Sequence, residues 1–99
     1  LVTYWTENPV RAGDGAHFVF RIPSAGEVNL YILDLAGDIV CRILSEKTIT
    51  VADEYSVAWY GHNVSGRFAG AGTYVYVFSY ENSATGEKEI VRKPVALLR

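Results

Sequence analysis

Several stretches of the chain alternate between apolar and polar positions, which is the period of a β-strand with one buried face. The alternation is clearest over Ala16–Ile22, where Phe18 and Phe20 share a face and His17 and Arg21 lie opposite. No window keeps a helical period over three turns, so the pattern predicts strands and no long helix. The predicted strands are Val2–Thr6, Ala16–Ile22, Glu27–Leu35, Ile39–Leu44, a brief edge strand near Thr48–Val51, Tyr55–Tyr60, Thr73–Glu81 and Glu89–Leu98.

Turn-forming residues separate these strands. Asp34 and Gly37 lie in Asp-Leu-Ala-Gly-Asp, which predicts a tight hairpin with aspartate opening the turn and glycine at the positive-φ position. Four glycines between positions 61 and 72 predict a long irregular loop. Pro94 lies inside the last strand and predicts an edge position or a bulge, because proline has no N–H for a neighbouring strand.

The spacing of strands and turns predicts an all-β fold. We expect residues 1–99 to form one domain, a two-sheet antiparallel immunoglobulin-like sandwich of about seven strands, with a small closed barrel as the alternative. The sandwich is favoured because Trp59 lies in the middle of a strand, as the core tryptophan of an immunoglobulin-like sandwich does. The cysteine pair of that fold is missing, since Cys41 is the single cysteine.

Composition and charge exclude several classes of protein. Hydrophobic residues make up 49% of the 99 residues and charged residues 20%, which excludes intrinsic disorder. The net charge is −2 and only Arg92 and Lys93 are adjacent basic residues, which argues against nucleic acid or an anionic membrane as partner. The chain begins with Leu1 rather than Met, so we expect a piece of a longer chain.

The titratable residues provide little basis for catalysis. His17 and His62 are the only two histidines, and no serine has the glycine pattern of a nucleophile elbow. Carboxylates near turns suit calcium, but the Asp-x-Asp-x-Asp spacing is absent and turn capping accounts for them. We therefore expect no enzymatic activity, no metal and no cofactor. The carboxylates in question are Asp34, Asp38, Asp53 and Glu54.

One predicted strand carries aromatic residues along a single face. Both of its faces are too apolar for a simple sandwich unless something covers one of them. In one interpretation the aromatic strip is exposed and stacks on sugar rings, and in a second it docks on a neighbouring domain. In the third, three of the four residues are core and only Tyr80 is exposed. The strip consists of Tyr74, Tyr76, Phe78 and Tyr80.

Motifs follow one another in order along the chain. They are Asn8-Pro9, then Val28-x-Leu30-x-Ile32-x-Asp34-x-x-Gly37, then Val57-x-Trp59-x-Gly61-x-Asn63-x-x-Gly66, and then Gly72-x-Tyr74-x-Tyr76. This order resembles the immunoglobulin-like domain named for the flagellar hook-capping protein. It is also similar to the related C-terminal sorting domains of type IX-secreted bacterial proteins. The resemblance covers residues 8–99, and it departs from the family pattern at Tyr60, where those families usually have aspartate.

The resemblance implies a non-catalytic accessory module of a secreted or surface bacterial protein, and a C-terminal piece of that larger protein. Its role would be structural, domain docking or export targeting, and its location extracellular or at the cell surface. The implied partners are a neighbouring domain of the parent protein or the secretion machinery. In a sorting domain, Arg92-Lys93 and the terminal Val95–Arg99 would be the recognised segment. A carbohydrate-binding module that uses the aromatic strip, with polysaccharide as partner, is the alternative function.

The residues of these motifs are expected to be folding devices. Trp59 can anchor the glycine loop if its indole N–H reaches a loop carbonyl, and Tyr74 can brace that loop through its hydroxyl. Gly72 is expected to let the incoming strand approach closely. Asn63 suits a turn because asparagine tolerates left-handed backbone. The full set is Asp34, Gly37, Trp59, Gly61, Asn63, Gly66, Gly72 and Tyr74.

Overall fold

The computed structural model describes residues 1–99 and is built of strands alone. Six of the strands lie within two residues of the predicted spans, so most of the predicted order of elements is confirmed. The strands are β1 Val2–Trp5, β2 Val10–Arg11, β3 Ala16–Ile22, β4 Gly26–Leu33, β5 Ile39–Ile49, β6 Asp53–Trp59, β7 Gly72–Asn82 and β8 Lys88–Leu98.

The strands form two sheets that pack face to face. The smaller sheet has the order β1-β3-β6 and the larger has the order β2-β8-β7-β4-β5. This confirms the all-β sandwich, with eight strands where the sequence predicts about seven. The additional strand is β2, whose two residues are too few to show an alternation, and it pairs parallel to β8 in an otherwise antiparallel fold.

The core lies between the sheets and is rich in aromatic rings. Phe18 and Phe20 of β3 face Phe78 of β7, with ring centroids 5.3 and 4.9 Å apart. Trp59 is only 2% exposed, which confirms its predicted place in the core. Because the alternating residues of β3 and β4 put every second side chain into this layer, one cluster of 16 buried hydrophobic residues holds the two sheets together.

Strand β5 is longer than predicted. The sequence predicts Ile39–Leu44 and a separate short strand near Thr48–Val51, whereas β5 runs without a break to Ile49. Register shifts against β4 keep it paired, and Glu46 takes a positive φ of 50° beside one of them. The Asn29 Oδ1 atom accepts the Glu46 N–H at 2.7 Å, so a β4 side chain satisfies the displaced backbone.

Pro94 lies at an edge position, as predicted. Its strand β8 pairs with β7 along its whole length, with Pro94 opposite Val75. On its other side β8 meets only the short β2, at Leu97 and Leu98. Because that side is open at Pro94, the missing N–H costs no ladder hydrogen bond to a further strand.

Candidate functional site

Trp59 anchors the irregular loop between β6 and β7. Its indole N–H donates to the backbone carbonyl of His62 at 3.0 Å, which confirms the predicted loop contact. The Trp59 ring also meets Tyr74 edge to face, with centroids 6.4 Å apart. The buried indole of Trp59 is therefore held by a hydrogen bond to the loop backbone and by packing against the Tyr74 ring.

Asn63 holds the tip of the same loop with its side chain. Its Oδ1 atom accepts the backbone N–H of Ser65 at 2.9 Å and that of Arg67 at 3.1 Å. Gly66 has a φ of 80° and its N–H donates to the Asn63 carbonyl at 3.0 Å. These bonds close an Asx-type turn, so the amide oxygen is committed to the fold.

Gly61 and Gly72 serve different purposes in the loop. Gly61 has a φ of 86°, which favours glycine, and a Cβ there would lie 2.9 Å from Leu97 Cδ1, so the buried Leu97 methyl would have to shift. Gly72 has a φ of 152°, and a Cβ there would meet nothing within 4 Å. The predicted close approach at Gly72 is therefore wrong, and its positive φ is what favours glycine.

The hydroxyl of Tyr74 braces the loop, as predicted. It donates to the backbone carbonyl of Gly70 just before the strand begins. At the same end of the sheet, where β4 ends beside the start of β7, Asp34 Oδ1 accepts the N–H groups of Ala36 at 3.0 Å and Asp38 at 2.9 Å. Gly37 takes a φ of 92° in that hairpin, which confirms its predicted position. Both motifs use their polar atoms to close turns.

The aromatic strip of β7 faces the core, so the interpretation as an exposed row is wrong, and the interpretation that three of its four residues are core is confirmed. Tyr76, Phe78 and Tyr80 are 4%, 0% and 3% exposed, and only Tyr74 is half-buried. The expectation that Tyr80 alone is exposed is also wrong, because the turn around Ser24 lies over its ring. The Tyr80 hydroxyl donates to the Ser24 carbonyl at 2.9 Å. A polysaccharide chain cannot stack on rings held between two sheets.

A different aromatic group, which no sequence motif predicts, lies at the surface. His62 stacks on Phe68 with centroids 4.7 Å apart, and Tyr60 meets His62 edge to face at 6.4 Å. Phe68 is 49% exposed and Tyr60 is 46% exposed. The pairing of His62 with Phe68 arises from an isolated bridge within the loop, for which the sequence carries no periodic signal.

The remaining reactive groups are dispersed. Burial raises the pKa of the half-buried Cys41 thiol, which disfavours the nucleophilic thiolate. Burial also raises the pKa of the Tyr76 hydroxyl, and a hydrogen bond with Thr3 opposes this to a smaller extent. No three His, Cys, Asp or Glu side chains come together in a group fit to hold a metal ion.

None of the elements is a helix that is long and apolar enough to cross a bilayer.

Comparison with known proteins identifies a similar fold in a bacterial surface protein. The chain is similar to part of the solved structure of PorZ, described as an essential bacterial surface component of the type-IX secretion system of Porphyromonas gingivalis. The match has a TM-score of 0.55 and 20% sequence identity, and it covers 98% of this chain and 11% of that chain. No family model matches the sequence. No curated protein matches it either. The comparison therefore establishes the fold, which PorZ contains as one small part.

Proposed function

We propose that this chain is a non-catalytic immunoglobulin-like accessory module of a secreted or surface bacterial protein. In this proposal it acts in structure, in docking or in export targeting. The observation that carries the proposal is the use of the motif residues. The Trp59 indole N–H, Asn63 Oδ1 and Asp34 Oδ1 are each occupied by backbone groups of a neighbouring loop or turn. Residues bound in this way support the fold, which favours a structural role for the motifs over a catalytic one.

The similarity to part of PorZ supports the same class of role. The matched region is 11% of that chain, so the fold is used there as one module of a much longer surface protein. A module of this kind acts through its surfaces, and its partner is a neighbouring domain or the secretion machinery. The proposed location is extracellular or at the bacterial cell surface.

For export targeting, the folded state limits which terminal residues a receptor can contact. Val95 and Leu97 are 0% exposed because they belong to the core. Arg92, Lys93 and Arg99 are exposed on the same strand or just after it. In the proposed role, a receptor that recognises the folded domain therefore contacts these three basic residues.

A reporter fusion tests the proposed function. Residues 1–99 are fused to the C-terminus of a periplasm-directed reporter in a bacterium with a type IX system and in a strain lacking that system. We expect protease-accessible reporter on the surface of the first strain only, and at least a tenfold loss of surface signal with Arg92→Ala and Lys93→Ala together. A matched control is Arg67→Ala, an exposed arginine of the loop. If the reporter stays inside the cell to the same extent in both strains, export targeting is wrong. The structural role is then tested by whether the domain docks on a neighbouring domain.

A further inference from the structure

The outer face of the larger sheet carries apolar side chains that no other strand covers. The smaller sheet packs against the opposite face only. Two neighbouring cross-strand rows run over four strands, and the register aligns their side chains on the same face. The first row is Ile39, Leu33, Val75 and Pro94, and the second is Arg42, Tyr31, Val77 and Arg92. These eight residues are called the outer patch.

The centre of the outer patch is ordered by hydrogen bonds before any partner binds. The Tyr31 hydroxyl donates to Asn29 Oδ1 at 3.1 Å, and Asn29 Nδ2 donates to Ser79 Oγ at 3.3 Å. The same Asn29 oxygen accepts the Glu46 N–H from β5. Because the Tyr31 hydroxyl is held by Asn29, which itself links β4 to β5 and β7, docking on the Tyr31 ring loses little side-chain freedom.

Arginines lie at both ends of the second row. Arg42 on β5 and Arg92 on β8 are exposed and form no salt bridge, since the only ion pairs of the chain are Arg21–Glu54 and Leu1–Glu89. Three strand spacings separate the two arginines, which places their Cα atoms about 14 Å apart. The net charge of the chain is −2, so these two side chains give the outer patch positive charge on a domain that is negative overall.

The charge and size of the outer patch define its partner. Guanidinium groups recognise carboxylates through two parallel hydrogen bonds, so the facing surface should be apolar with carboxylates at its sides. The two rows with their flanking side chains cover roughly 300 Å², the lower end for one side of an interface between domains of one chain. An anionic bilayer calls for clusters of about four to eight basic residues, which this face lacks.

We propose that the outer patch docks on a second folded domain of the same polypeptide, which presents carboxylates to Arg42 and Arg92. This inference rests on the proposed function, in which the chain is one module of a larger protein. Tyr31 and Val77 form the buried centre of that contact, and the two arginines fix its orientation.

Site-specific cross-linking in the complete gene product tests this inference. A photoreactive phenylalanine derivative replaces Val77 on the outer patch, and in a control it replaces Ser56, which is exposed on the smaller sheet. We expect cross-links from position 77, but not from position 56, to peptides of a second domain that contain Asp or Glu. The double variant Arg42→Glu, Arg92→Glu should lower their yield at least tenfold, whereas Arg67→Glu should leave it unchanged.

The alternative outcomes are distinct from one another. Cross-links from position 77 to a second copy of the chain or to lipid, the absence of any cross-link, or a yield that the double variant does not lower would each overturn the inference. A melting temperature equal to that of the parent shows that the double variant is folded. If the cross-link fails while the reporter is still exported, the docking surface alone is wrong. If the cross-link is absent and the reporter is not exported either, the proposed function is wrong as well.

Discussion

The ring of Trp59 lies in the core with its centroid 6.2 Å from that of the half-buried Trp5, and only one of the two satisfies its indole N–H. The Trp59 N–H donates to the His62 carbonyl, whereas the Trp5 Nε1 atom is buried without a hydrogen-bond partner. A buried donor that finds no acceptor costs about 1–3 kcal/mol relative to one that does. The two residues therefore form a natural pair for separating the contribution of packing from that of the hydrogen bond.

Trp59→Phe should destabilise the domain more than Trp5→Phe. Both changes remove a similar volume, but the first also leaves the His62 carbonyl without its donor, while the second removes an unsatisfied polar group. We expect a difference of about 1–3 kcal/mol in the free energy of unfolding. Urea denaturation of the two variants measures it, and equal losses would show that the loop bond contributes nothing.

Gly61→Ala should cost more than Gly66→Ala. Both glycines have a positive φ near 80–86°, so each substitution carries the strain of left-handed backbone, about 1–2 kcal/mol. Only at Gly61 does the new Cβ meet a neighbour, Leu97 Cδ1 at 2.9 Å, while Gly66 has open space. Overpacking adds about 1 kcal/mol or more at Gly61. Thermal unfolding of both variants provides the comparison, and equal melting temperatures would contradict the close contact.

Leu97→Ala should destabilise the domain by about 2–5 kcal/mol, whereas Leu98→Ala should change stability by less than about 1 kcal/mol. Leu97 is 0% exposed and Leu98 is 42% exposed, although they are adjacent on the same strand. Denaturant titration measures both. Similar effects at the two positions would mean that β8 does not contribute its alternate residues to the core.

Stability should fall above about pH 10, and Tyr76→Phe should reduce the fall. Burial raises the pKa of the folded Tyr76 hydroxyl above its ordinary value, so above that ordinary value the unfolded chain releases the proton while the folded chain keeps it. Ionisation therefore favours the unfolded state, and the slope of unfolding free energy against pH is negative there. Denaturant melts from pH 8 to 11 measure the slope, with the exposed Tyr60→Phe as control; identical slopes for wild type and Tyr76→Phe would contradict the assignment.

Local features of this fold were predictable because each depends on residues close in sequence. Asp34, Gly37 and Asn63 form turns whose geometry is set within five residues, and the alternation in β3 fixes which face is buried. Burial of Tyr80 depends instead on Ser24, 56 residues away, which no periodicity encodes.

The outer patch could not be predicted from the sequence for a related reason. Its two rows exist only because β5, β4, β7 and β8 lie side by side in a definite register. Arg42 and Arg92 are 50 positions apart in the chain, and nothing in the sequence pairs them. The apolar character of both faces of β7 was visible, but which face the smaller sheet covers follows from the topology.

The structure of the complete gene product tests the central claim most directly, namely that this module acts through a bare sheet face while its motif loops serve the fold. We predict that Tyr31 and Val77 are buried against a second domain, with carboxylates in hydrogen-bond contact with the Arg42 and Arg92 guanidinium groups, as Glu54 is with Arg21 at 3.1 Å. The loop around Asn63 should remain in solvent with its internal hydrogen bonds unchanged. A solvent-exposed outer patch, or a partner seated instead on the Trp59–Gly72 loop, would contradict the account.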